Sequence, residues 1–321
     1  MKKIFLYGAI ILSFLGIFLR FSNIPQNTEF DWDQENLLAI PARDIIVNHH
    51  FPLIGAKASS AVLFVGPLYS YLAAAVYALM NLDPAAGAVL AGILASITLI
   101  AGFIISRKIF GGKTSYFFLL LWSLSTFVIM LDRIPWNLNL LALSALFIYF
   151  GLWSLIQNGG KRGWWPVGLG LFLGLNSHYT IIFFLPVIAY VLLRNGILLN
   201  RKLGILSAFI LLALLPLVLF ELRHDFLMSR NLAGFLQHHG NFGIGIFIFL
   251  QKLVPVVLVL ADTSARLIIE NGPEWVHYAV FACLLIFLFT FRRDKKVELY
   301  LKLFVPTVVI YLLGFLYYSV L

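Results

Sequence analysis

The chain has 321 residues, 61% of them hydrophobic, 16% aromatic and only 12% charged, with a mean hydropathy of +0.95. A soluble domain carries about 25% charged residues, so that class is excluded. The net charge of +9 does not describe a nucleic-acid-binding face or a disordered tail, because the 23 Lys and Arg sit as short punctuation between long apolar runs. The basic excess is instead a matter of membrane topology. One cysteine, Cys283, allows no intramolecular disulfide and no zinc pattern; within an apolar run it is expected to be a small buried hydrophobe.

A membrane helix needs about 20 mostly apolar residues. In chain order, the first such stretch runs from Ile4 to Phe21 and exits through Arg20, Phe21, Ser22, Asn23, Ile24 and Pro25. No small-x-small cleavage site follows, so it reads as an uncleaved span rather than a signal peptide. Further stretches cover residues 62–80, 85–106, 115–131, 138–156, 164–193, 203–220, 244–261, 275–291 and 302–321. Lys and Arg accumulate on the cytoplasmic side. The clusters Lys2/Lys3, Arg107/Lys108/Lys113, Lys161/Arg162, Arg194/Arg201/Lys202 and Arg292/Arg293/Lys295/Lys296 are therefore assigned inside. On that assignment 12 of the 14 acidic residues and all seven His fall outside.

Parity then shapes two stretches. Segment 62–80, which opens Phe64, Val65, Gly66, Pro67 and carries Tyr69, Tyr71 and Tyr77, is read as a helix at the outer interface, the depth aromatic rings favour. Segment 164–193 has inner clusters at both ends and is expected to split into two short helices that turn outside near Asn176, Ser177, His178 and Tyr179. Stretch 244–261 poses the same problem and stays open.

Acidic residues are scarce, so their clustering is informative. Glu29, Asp31, Asp33, Glu35 and Asp44 follow the first span within sixteen residues, interleaved with Phe30, Trp32, Leu37, Leu38, Ile40, Ile45 and Ile46. This describes an amphipathic element held on the membrane, where a partly desolvated carboxylate suits general-base work. Three more polar groups recur at the same depth: Asp132-Arg133 with Asn137 and Asn139, His178-Tyr179, and Glu221, Arg223, His224 and Asp225. Next to one another, Asp132 and Arg133 also suit a local ion pair. Ionisable groups at membrane depth are costly, which makes function the default reading.

Asp33-Gln34, then Ala42-Arg43-Asp44-Ile45-Ile46, Pro52-Leu53-Ile54-Gly55 and Gly66-Pro67-Leu68-Tyr69 together resemble the first extracytoplasmic loop of bacterial GT-C glycosyltransferases. These are the family 39-like enzymes related to protein O-mannosyltransferases and the lipid A aminoarabinose transferase. Trp136-Asn137-Leu138-Asn139 is similar to their WNPN element with Leu138 in place of proline. Gly174-Leu175 with His178-Tyr179-Thr180, and Leu215-Pro216 with Phe220 to Phe226, resemble later loops.

The resemblance implies an all-α, polytopic transmembrane helical bundle of GT-C type, with an outer amphipathic helical first loop at about 21–60, as one domain over 1–321. It implies a multi-pass cell-membrane enzyme with its site on the extracytoplasmic face. There a sugar would pass from a polyprenyl-phosphate donor to a glycan, lipid or protein acceptor hydroxyl with inversion. By motif position Asp33 is the catalytic base. Asp31, Glu35, Lys57, Asp132, Arg133, Asn137, His178, Tyr179, Glu221, Arg223 and His224 are the expected substrate-binding residues, with Lys57, Arg133 or Arg223 neutralising the phosphate.

Many relatives carry DE where this chain has Asp33-Gln34. A divalent metal is therefore only weakly supported, since such a site wants two or more carboxylates. The chain stops at Leu321 inside an apolar run where family members usually continue, so a truncated or minimal version, or an inactive remnant, is also considered. A transporter or flippase of lipid-linked saccharide is the rival class. It would show internal repeats and midplane charges, and neither is seen. Nucleic acid is not an expected partner; membrane lipids are.

In a Cys283→Ser background, a single His50→Cys variant should react with an impermeant maleimide added outside intact cells. Labelling only after the cytoplasmic side is opened would reverse the orientation.

Overall fold

A bilayer offers no water to backbone N–H and C=O groups, so a spanning chain must satisfy them within each segment. This chain does so with helices. The computed structural model describes residues 2–24, 35–57, 63–157, 162–197, 201–239 and 246–290, with short pieces at 298, 301–303 and 305–310. In chain order the helices are α1 (Lys2–Phe21), α2 (Ile40–Val47, preceded by a π-helical turn, Glu35–Ala39), α3 (Leu68–Leu79), α4 (Ala86–Phe110), α5 (Gly112–Leu124) and α6 (Thr126–Arg133). They continue with α7 (Asn139–Gln157), α8 (Trp164–Leu175), α9 (Phe184–Arg194, preceded by a 3-10 turn, Tyr179–Phe183), α10 (Leu203–Arg223), α11 (Leu227–His239), α12 (Ile246–Arg266) and α13 (Glu274–Thr290). Among the described residues the sole β pairing is one antiparallel bridge, Lys57 to Phe64. The fold is all-α, of the polytopic helical GT-C type.

Length separates the helices into two kinds. At 1.5 Å per residue, the 25 residues of α4 reach about 37 Å, more than the ~30 Å hydrocarbon layer. Helices α4, α7 and α10 are each long and apolar enough to cross a membrane. With 12 residues, α3 is too short to do so. The stretch expected as one span at 115–131 is broken: α5 and α6 meet at 64°. The cause is Ser125, whose ψ of 115° leaves the helical region and whose hydroxyl accepts the Val128 N–H, capping α6. The break expected within 164–193 falls at Asn176–His178, between α8 and the 3-10 turn.

Helix pairing cannot rely on escape from water when the surrounding lipid is as apolar as leucine, so close approach of small residues takes over. Between α7 and α8 a Cβ on Gly163 would stand 2.1 Å from the Gly151 carbonyl oxygen, and one on Gly170 would stand 2.6 Å from Ile148 and 2.8 Å from the Ser144 carbonyl. Ser144 Oγ donates to the Gly170 carbonyl at 2.7 Å across the same seam. Ile148, Leu152, Leu155, Trp164, Val167 and Leu171 close around it, joined by Val187 and Val191 of α9 and Leu206 of α10. Cys283 departs from the sequence expectation. It is exposed on α13, as are Leu285, Ile286, Phe287 and Phe289, because in a membrane protein apolar character does not distinguish the protein interior from the lipid-facing surface.

At one end of α1, the fully buried Arg20 donates to Asp132 Oδ2 from Nε (2.8 Å) and Nη2 (2.5 Å), and also to the carbonyls of Gly16 and Trp122. The carboxylate therefore pairs across the bundle and not with its neighbour. Arg133 instead donates to the Ser22 carbonyl. Together the two contacts tie the end of α1 to the bent α5–α6 pair. Removing one partner leaves an uncompensated buried charge, so Asp132→Ala should cost about 3–5 kcal/mol. Thermal unfolding in detergent should show this, with the Arg20→Met/Asp132→Leu double variant melting above the single.

Candidate functional site

Three loops meet at the end of the bundle where α3, α7 and α9 begin. The first brings residues 55–57 and 64–65 into a narrow antiparallel pairing: Gly55 N–H donates to the Val65 carbonyl at 2.8 Å, and Val65 N–H to that of Ala56 at 3.0 Å. It is so tight that a Cβ on Gly55 would lie 2.3 Å from the Gly66 carbonyl oxygen. The chain then enters α3 through Pro67, whose fixed φ suits a helix start. Tyr71 ties this helix back to the loop by donating to the Pro52 carbonyl at 2.7 Å.

The second loop, Pro135 to Asn139, starts α7. Asn139 Oδ1 accepts both the Trp136 N–H and the Tyr69 hydroxyl of α3, each at 3.0 Å. The third is the break after α8. Asn176, nine-tenths buried, donates from Nδ2 to the Phe172 carbonyl at 2.9 Å, and its Oδ1 accepts the Leu68 N–H at 3.3 Å. A Cβ on Gly66 would stand 2.1 Å from that Oδ1. Ser177 and Asn137 then exchange bonds: Ser177 Oγ donates to the Asn137 carbonyl at 2.8 Å, and Asn137 Nδ2 donates to the Ser177 carbonyl.

Two residues of the third loop reach further. Tyr179 donates its hydroxyl to the Phe64 carbonyl; burial, reinforced by the Glu221 carboxylate, pushes that hydroxyl up to about 12. His178 Nδ1 accepts the Thr180 N–H at 3.2 Å and so caps the 3-10 turn. Burial holds its pKa below the ordinary 6.5, keeping the ring neutral.

The fourth constellation joins by packing. Phe220 meets Phe64 at 6.1 Å between ring centroids, and Leu217, Phe220 and Met228 bury against Leu53, Ile54 and Leu63. Glu221 accepts the N–H groups of Met228 (2.8 Å) and Ser229 (2.9 Å), starting α11. His224 stacks on Phe220 at 4.1 Å and donates from Nδ1 to its carbonyl.

Of the residues expected to bind substrate, Asn137, His178, Tyr179 and Glu221 thus belong to one connected end, with Asp132 and Arg133 anchoring α1 beside the second loop. Glu35, Lys57 and Arg223 are exposed, as is His224. Asp31 and the expected base Asp33 lie outside the described residues. Among the described residues no three His, Cys, Asp or Glu come together as a metal site.

Sequence reasoning missed Arg20, whose only signal was a cation in the last turn of an apolar helix. It also passed over the groups around a cavity of about 200 Å³ between the π-helical turn, α2 and residues 50–56. Asn36, Asp44, His50 and Ser70 supply its polar lining. Asp44 stood out as an acid, but its helical neighbours and the return of His50 upon them are tertiary facts. A separate polar cluster links α12 and α13, where Asp262 accepts from His277 Nδ1 at 2.6 Å and Arg266 Nε at 2.7 Å.

A family model described as dolichyl-phosphate-mannose-protein mannosyltransferase matches residues 65–220, just under half of the chain. The matched segment opens at Val65 in the narrow pairing and closes at Phe220. It therefore takes in the second and third loops whole, and over this length the chain is similar to membrane glycosyltransferases. Neither the curated proteins nor the solved structures give a match to the chain.

The His178 cap carries a pH signature. A group whose folded pKa is lowered binds fewer protons than in the unfolded chain, so its stability contribution is complete above pH 6.5 and is lost as pH falls through the lowered value. Thermal melts of the wild type should decline over that interval. His178→Asn keeps a cap acceptor and removes the titration, so its decline should be shallower.

Proposed function

We propose that the chain is a GT-C type glycosyltransferase that moves a sugar from a polyprenyl phosphate to an acceptor hydroxyl of a glycan, lipid or protein at the extracytoplasmic face of the membrane. The observation that carries this reading is the mannosyltransferase family match over residues 65–220. The polar loops at one end of that segment supply the context.

In the proposed reaction Asp33 takes the proton of the acceptor hydroxyl. The acceptor oxygen forms its bond to the anomeric carbon as the bond from that carbon to the phosphate oxygen breaks, with inversion, and the polyprenyl phosphate leaves with the bonding pair. The phosphate is a good leaving group, so positioning and neutralisation of its charge carry much of the barrier reduction. Lys57 and Arg223, exposed near the first and fourth loops, are the proposed phosphate cations. Arg133 has a structural donor bond to Ser22 as well. The cavity lined by Asn36, Asp44, His50 and Ser70 offers a polar recess whose first lining residue follows Asp33 by three positions in the sequence.

The test is transfer of radiolabelled sugar from polyprenyl-phosphate donors by the purified protein in proteoliposomes. Asp33→Asn should lower the turnover about 10²–10⁴-fold, the range for loss of a general base. Equal rates for the two proteins would remove Asp33 from the reaction. Movement of labelled lipid-linked sugar across the bilayer without transfer would make the protein a transporter.

A further inference from the structure

The end of the bundle opposite the polar loops carries a groove that the proposed reaction does not use. Helix α4 runs from Ala86, with Gly87 packed on Pro135 of the second loop, to Phe110. The roughly 20 residues from Gly87 to Arg107 place the two ends about 30 Å apart, the depth of a hydrocarbon layer. At the far end, the first turns of α1 and the corner between α4 and α5 enclose a space of about 580 Å³, lined by Phe5, Leu6, Ala9, Phe103 and Tyr116, with Arg107 and Lys113 at its rim.

Two local features build it. Gly111, with φ at +95°, turns the chain from α4 into α5, a conformation suited to glycine. Gly8 lets Tyr116 lie across α1, since a Cβ there would stand 2.6 Å from the tyrosine hydroxyl oxygen. Phe5 meets the same ring edge-on at 5.6 Å.

The rim is positively charged. Arg107 and Lys113 are exposed, and neither side chain makes a hydrogen bond or ion pair among the described residues. The nearby Lys108 is spent differently, over the Phe150 ring at 5.2 Å. An apolar slot at membrane depth with two unpaired cations at its mouth complements a molecule with an acyl tail and an anionic head.

We propose that this groove binds an anionic bilayer phospholipid, its phosphate at Arg107 and Lys113 and an acyl chain between α1 and Tyr116. Juxtamembrane basic pockets between helices recognise anionic head groups in this way, each cation adding about fivefold to affinity. Charge complementarity and a rim close to the edge of the hydrocarbon layer favour a resident bilayer lipid. A resident lipid would hold α1 against the α4–α5 corner. Ala9, Leu12, Leu99 and Leu119 are buried between these helices, with Phe103 and Tyr116 packed against them.

The experiment measures lipid binding to the purified full chain by native mass spectrometry, with phosphatidylglycerol and phosphatidylcholine of identical acyl chains. Wild type should retain phosphatidylglycerol preferentially. Arg107→Gln/Lys113→Gln should weaken that binding about twenty-five-fold, whereas Arg194→Gln/Arg201→Gln, which removes two basic charges elsewhere, should leave it within twofold. Wild-type binding of phosphatidylglycerol should also fall with salt, a measurement that needs no variant to fold. Equal retention of both lipids by wild type, or equal loss in the two double variants, would overturn the proposal. So would displacement of phosphatidylglycerol by equimolar polyprenyl phosphate, which would make the groove a carrier site. The readout is binding alone, so a chain without transferase activity can still satisfy it, and failure here leaves the proposed reaction standing.

Discussion

One buried amide organises the polar end of the molecule. Asn176 uses its Nδ2 to hold the last turn of α8 and its Oδ1 to receive the first N–H of α3. Gly66 has no side chain because that oxygen occupies the place where one would be. The narrow pairing of residues 55–57 with 64–65, the start of α3 and the break between α8 and α9 are therefore a single arrangement. Ser177 and Asn137 extend it to α7, and Tyr179 returns it to Phe64. Each of these groups is neutral, which lets it be buried at far lower cost than a charge.

Charges are handled by a different rule. Arg20 is fully buried, and four hydrogen bonds from its guanidinium go to Asp132, Gly16 and Trp122. Five donors in a rigid fork allow such a site where a lysine could not fill it. Glu221 meets its need from the backbone of α11. The two ends of the bundle thus differ in kind. One is knitted by amides, hydroxyls and satisfied ions, while the other presents Arg107 and Lys113, which have no partners among the described residues. That difference gives a transferase reading a preorganised end for chemistry and leaves the opposite end to the membrane.

Much of the helical layout was legible because hydrocarbon thickness and backbone satisfaction act on local sequence. Apolar runs at 85–106, 138–156 and 203–220 became α4, α7 and α10. The split of 164–193 followed from its length and from Asn176, Ser177 and His178 in its middle. The kink at Ser125 was not legible, since a single serine in an apolar run is common and acts as a cap only when the next segment changes direction. Nor was the exposure of Cys283, because hydropathy is the same for residues facing lipid and residues facing protein.

Composition and periodicity by themselves determined that this is an apolar helical membrane chain whose polar motifs recur in four places, since those properties depend on residue type and spacing alone. The partners inside and between those places were decided by tertiary structure. Asp132 lies beside Arg133 in the chain but pairs with Arg20, 112 positions away. Asn137, expected to bind substrate, and Asn176, expected in an outer turn, became cross-links between loops. The physical reason is that a buried donor or acceptor takes whichever partner packing brings within about 3 Å, and in a bundle of long helices that partner is rarely a neighbour in sequence.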